Sequence, residues 1–78
     1  MNREQVESTT MRSVGYDGRS KILEIEFQSG EVYQYLDVPG TVHQKLQSAK
    51  SKGQYFNSEI RDEYPCVRLA RGRRAARG

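Results

Sequence analysis

Tryptophan is absent from this chain, cysteine and histidine occur once each, and proline occurs twice. A lone cysteine, Cys66, excludes an internal disulfide and any cysteine-based metal cluster. The lone histidine, His43, has no cysteine or carboxylate at metal-ligand spacing, so a surface or half-packed role is expected for it. No apolar run approaches the ~20 residues that span a bilayer. The opening Met1-Asn2-Arg3-Glu4-Gln5 is polar with no apolar signal core behind it, which argues against signal-directed secretion. A reducing, cytoplasmic setting is the expectation. Hydrophobic residues are also scarce, at 35% of 78. One small domain with a thin stability margin follows, its core drawn from periodic Val, Ile, Leu, Phe and Tyr.

Catalytic groupings are missing as well. Gly15, Gly18 and Gly30 are isolated turn or bulge glycines and form no phosphate-cradling pattern. Glu24 and Glu26 share one strand face, which permits a carboxylate pair, but a charged solvent face explains them better. Cys66, between Pro65 and Val67, reads as a small buried hydrophobe in preference to a reactive thiol. The chain is expected not to be an enzyme, and no cofactor or metal is called for.

What is present is charge of uneven placement. Residues 1–67 hold eight Lys+Arg against ten acids, a balance of −2. Residues 68–78 hold five arginines and no acid, a balance of +5, which accounts for the overall +3. A mildly acidic body carrying an Arg-rich tail is a different object from a uniformly basic domain.

Periodicity assigns the body. Met11 to Tyr16 reads as a first strand, and Asp17-Gly18-Arg19-Ser20 as a turn in which Gly18 is free to take positive φ. Lys21 to Phe27 alternates, with Leu23, Ile25 and Phe27 on one face and Glu24 and Glu26 on the other. The following hairpin has two possible registers. A two-residue Ser29-Gly30 loop buries Val32, Gln34 and Leu36. A three-residue Gln28-Ser29-Gly30 loop pairs Phe27 with Glu31 and places Tyr33 and Tyr35 beside Ile25 and Leu23. The second is favoured because it gives each tyrosine an aliphatic neighbour and puts glycine at the left-handed bulge position. Pro39 suits the first turn of a helix. Val42, Leu46 and Ala49 then form its apolar stripe, with Lys50 and Lys52 near its end and Gly53 as a left-handed cap. Tyr55 to Ile60 reads as a short second helix stopped by Tyr64-Pro65, with Val67 and Leu69 available for a last strand. The class is α+β: a small three-stranded antiparallel meander packed by one or two short helices, with a possible extra C-terminal strand.

These runs resemble a known family. Val14-Gly15-Tyr16-Asp17, Leu23 through Gly30, Val32-Tyr33-Gln34-Tyr35, Asp37-Val38-Pro39, Ala49 through Asn57, Ile60-Arg61 and Tyr64-Pro65 are together similar to the KTSC domain. That family is named for its place at the C-terminus of some lysyl-tRNA synthetases, and it also occurs as small stand-alone bacterial and phage-type proteins. The resemblance implies the fold and no activity; its synthetase attachment points toward RNA. The expected organisation is a flexible N-terminus over 1–10, a KTSC-like domain over 11–69, and a disordered Arg-rich tail over 70–78.

Two roles stand open for the aromatics and for the tail. Tyr33 and Tyr35 can stack bases or can fill the space between sheet and helix, and the packing role is favoured. The tail arginines can neutralise phosphates or merely solvate a terminus. The leading expectation is a non-enzymatic module binding RNA or other nucleic acid through Lys52, Tyr55, Arg61, Arg68, Arg71, Arg73, Arg74 and Arg77. The alternative is a protein-interaction or ligand-sequestering accessory protein, of possible phage or mobile-element origin.

Overall fold

The computed structural model describes residues 3–6 and 8–70. Five strands, β1 (Glu4–Gln5), β2 (Met11–Asp17), β3 (Ile22–Phe27), β4 (Val32–Tyr35) and β5 (Cys66–Ala70), form one sheet in chain order, with every neighbouring pair antiparallel. Two helices, α1 (Gly40–Ser48) and α2 (Lys52–Glu59), fall between β4 and β5 and cover one face. The expected meander is β2 to β4. The C-terminal strand extends it on one side, and the two-residue β1, which no sequence pattern announced, extends it on the other.

The β3–β4 hairpin takes the three-residue loop. Phe27 N donates to Glu31 O at 2.9 Å, Gly30 N donates to Phe27 O at 2.9 Å, and Gly30 sits at φ 97°. A side chain there would be strained, which is why glycine closes the loop. Leu23 consequently pairs with Tyr35 and Ile25 with Tyr33. One face then carries Met11, Val14, Leu23, Ile25 and Tyr35, all buried against Leu46 of α1, Phe56 of α2 and Ile60 just beyond it. Burial of this kind contributes roughly 1.5–3 kcal/mol for each large apolar side chain.

The other face is held by charge. Arg12 and Ser13 bulge opposite Glu26, and both reach its carboxylate: Ser13 Oγ donates at 2.9 Å and Arg12 Nη1 lies at 3.5 Å. Glu24 accepts from Gln34 Nε2 at 2.9 Å and pairs with Arg3 at 3.1 Å. The glutamates thus form the expected charged face, with cations already beside them.

Several local readings are corrected by the structure. In the β2–β3 turn the left-handed residue is Lys21 at φ 59°, not Gly18. Lys21 O accepts from Val38 N at 2.9 Å, while Tyr16 Oη donates to Val38 O, so the peptide groups flanking Val38 are held from the hairpin end. Pro39 precedes α1 as its N-cap with extended backbone, and α1 begins at Gly40. The helix stops at Ser48, and Ala49 turns extended at ψ 142°, so Lys50 already lies beyond it. Gly53 therefore caps nothing: it is the second residue of α2. Its role is steric, because a Cβ at Gly53 would lie 2.6 Å from Thr10 Oγ1. Ser51 caps α2 instead, its hydroxyl accepting from Gln54 N at 3.2 Å. Cys66 is exposed, contrary to the buried role expected, because β5 is an edge strand whose side chains lie beyond the helical cover.

Candidate nucleic-acid interface

The close approach of α2 to the segment before β2 creates the surface relief of the domain. Ser8 Oγ accepts from both Thr10 N and Met11 N, folding this segment into a turn. Gln28 fastens the turn to the β3–β4 hairpin, its amide Nε2 donating to Ser8 O and Met11 O at 3.1 Å each. Between that turn and the start of α2 lies an open, polar cleft of about 750 Å³, lined by Ser8 to Thr10, Lys50 to Gln54, and Asn57. Beyond it lies a groove of about 420 Å³ with an aromatic wall of Phe27, Tyr33, Tyr35 and Phe56 and a polar rim of Asn57, Arg61, Asp62 and Glu31. Thr10 and Asn57 line both. The two depressions therefore meet along one seam.

The aromatic wall is a linked set. Phe56 meets Phe27 and Tyr35 edge-on, each with ring centroids 5.4 Å apart, and Tyr33 lies 5.8 Å from Phe27 and 6.3 Å from Tyr35. Tyr35 is buried and belongs to the core; Tyr33 is half-buried and borders the groove. Burial, with Cys66 and Tyr33 nearby, pushes the Tyr35 phenol up to about 12. The packing role thus holds for Tyr35, while Tyr33 keeps one side toward the groove.

The charged candidates divide between the two depressions. Lys52 lies in the first, half-buried, its Nζ reaching Ala49 O at 3.5 Å. Arg61 lies in the second, exposed, its Nη1 3.5 Å from Asn57 Oδ1. Arg68, paired with Tyr33 across β4 and β5, stands near the same groove and reaches Glu31 at 3.8 Å. Such an exposed pair contributes only ~0–1 kcal/mol and yields readily to another anion. Tyr55 borders neither depression. It is half-buried against the core, and its phenol is pushed up by burial and by the neighbouring Glu59 and Tyr64. Arg71, Arg73, Arg74 and Arg77 lie outside the described residues. Ala70, the last described residue, pairs with Val32, next to Glu31 on the groove rim.

Of the residues bordering the groove, Tyr33 is one for which the sequence leaves base stacking open beside the favoured packing role, and Asn57 is one that the sequence did not single out. The signal for Tyr33 was present in its alternation with Tyr35; nothing in the spacing marked Asn57. His43 stacks on Tyr16 with centroids 4.8 Å apart, half-buried on α1. No three His, Cys, Asp or Glu side chains among the described residues are grouped to hold a metal ion. Nor is any described helix long and apolar enough to cross a membrane.

Comparison with known proteins matches the KTSC domain model to residues 7–64, from the Ser8 turn through both helices. The chain belongs to the KTSC domain family. A crystal structure of a KTSC domain protein from Yersinia pestis superposes with a TM-score of 0.86 at 39% identity, covering 88% of this chain and 97% of that one. An uncharacterized protein of Stutzerimonas stutzeri is 42% identical over 64 residues, spanning 82% of this chain and 90% of its own length. A lysine–tRNA ligase of Nostoc punctiforme is 38% identical over the same length, but there the match spans only 11% of the ligase. The KTSC fold thus occurs both in proteins of about this size and as a small portion of a synthetase.

Proposed function

We propose that this KTSC domain is a non-enzymatic binding module for nucleic acid, with RNA the leading ligand. The observation that carries the reading is the seam at Thr10 and Asn57. It joins a lysine-bearing cleft to an aromatic groove rimmed by Arg61, and β5 brings the chain to that rim just before its remaining arginines. Cations beside an aromatic surface fit a ligand with phosphates and flat bases. The match to part of a lysine–tRNA ligase supports RNA over other polyanions.

Salt-titrated anisotropy with a short RNA tests it. Charge reversal by Lys52→Glu and Arg61→Glu is expected to weaken binding and to lower the log–log salt slope by about 0.7 for each single-strand phosphate left without its cation. Negligible binding by the unaltered protein at low salt would remove the proposal.

A second reading has its own observation. β5 is an edge strand, and Val67 and Leu69 on it are 48% and 52% exposed. An open edge with apolar side chains favours strand addition by a partner protein.

A further inference from the structure

The aromatic groove and the cleft beside it differ in charge, and the difference sorts the parts of a ligand. The groove rim sets Arg61 against Asp62, and Arg68 is already beside Glu31, so cation and carboxylate balance there. A phosphate entering the groove would meet carboxylates as well as guanidinium groups. A neutral, flat heteroaromatic ring would meet the aromatic wall to which half-buried Tyr33 belongs. Along its edge it would find an acceptor in Asp62, donors in Arg61, and the amide of Asn57, which supplies both. The neighbouring cleft is the opposite case: Lys50 and Lys52 line it with no carboxylate among its lining residues.

From this division we infer that the Tyr33–Arg61 groove is a nucleobase pocket of a single-stranded nucleic acid, with the flanking phosphates falling toward Lys50 and Lys52. The inference rests on the nucleic-acid reading and sharpens it to single strands, since a paired and stacked base offers no free face to Tyr33. A free mononucleotide presents the same ring, and the experiment separates the two sources.

The unaltered protein and a Tyr33→Leu variant are titrated with a single-stranded octanucleotide, a duplex of the same sequence, inorganic polyphosphate and a free mononucleotide. Binding is followed by anisotropy or calorimetry, and ring signals of the unaltered protein by NMR. The octanucleotide is expected to bind tightest and to shift the Tyr33 ring signals. Tyr33→Leu is expected to weaken it roughly ten-fold, the scale of removing one base stack, and to leave polyphosphate binding unchanged. The NMR arm uses only the unaltered protein and so stands even if the variant folds poorly. Unmoved Tyr33 ring signals with octanucleotide bound would overturn the pocket while leaving the nucleic-acid reading intact. So would octanucleotide binding no tighter than duplex or polyphosphate. Mononucleotide binding as tight as the octanucleotide would overturn the assignment to a strand. Failure of every polyanion to bind would overturn both readings.

Discussion

Tyr35 shows how one side chain ties the core to solution conditions. Its ring packs edge-on against Phe56, and its phenol is held neutral up to about pH 12, whereas an unfolded tyrosine ionises near 10. Between those values the unfolded chain has released a proton that the folded one keeps. Stability is therefore complete below about pH 10 and falls as pH rises through that window, by about 1 kcal/mol per pH unit. Urea unfolding followed by circular dichroism from pH 8 to 11.5 is expected to show this decline. In Tyr35→Phe the slope is expected to be shallower, since the ring survives and the titrating hydroxyl does not. The half-buried Tyr55, whose phenol is also raised, contributes in the same direction.

Among the elements, the contact between α2 and the Ser8–Thr10 turn is the most exacting. Alanine at position 53 would gain up to ~1 kcal/mol of helix propensity over glycine. That gain is outweighed, because the new Cβ would sit 2.6 Å from Thr10 Oγ1 and 3.2 Å from Thr10 Cβ, on a β-branched side chain with little freedom to turn aside. Gly53→Ala is expected to cost about 1–3 kcal/mol in chemical unfolding, and a Thr10→Ala background to recover part of it in a double-mutant cycle.

The same contact marks the limit of what the sequence discloses. The β3–β4 register was legible because Phe27, Gly30, Tyr33 and Tyr35 carry it within nine residues of chain. The arginines Arg61 and Arg68 were legible as charges. The split at Ala49–Ser51 was not, because the apolar stripe runs unbroken into Ala49 and Gly53 resembles a helix terminator. Only Thr10, forty-three positions earlier, explains that glycine. The seam joining Lys52 to Arg61 depends on the same long-range approach, so no local pattern could place Asn57 at its centre.

At the scale of the whole molecule, a five-stranded sheet with a helical cover on one face leaves β5 partly uncovered. Val67 and Leu69 each keep about half their surface in water already, so Val67→Lys and Leu69→Lys are expected to change thermal stability within ~0.5 kcal/mol. If strand addition at this edge recruits a partner, those variants are expected to lose it, as sedimentation with and without the partner would show. At the β2–β3 turn the arrangement is tighter. A nine-residue helix with one fully buried side chain has little of its own to fix its heading. The double grip of Lys21 and Tyr16 about Val38, with His43 stacked on the same Tyr16 and Val42 against the core, supplies it. α1 inherits its direction from a β-turn, so an error in that turn would be passed on as a misaimed helix and not as a local blemish.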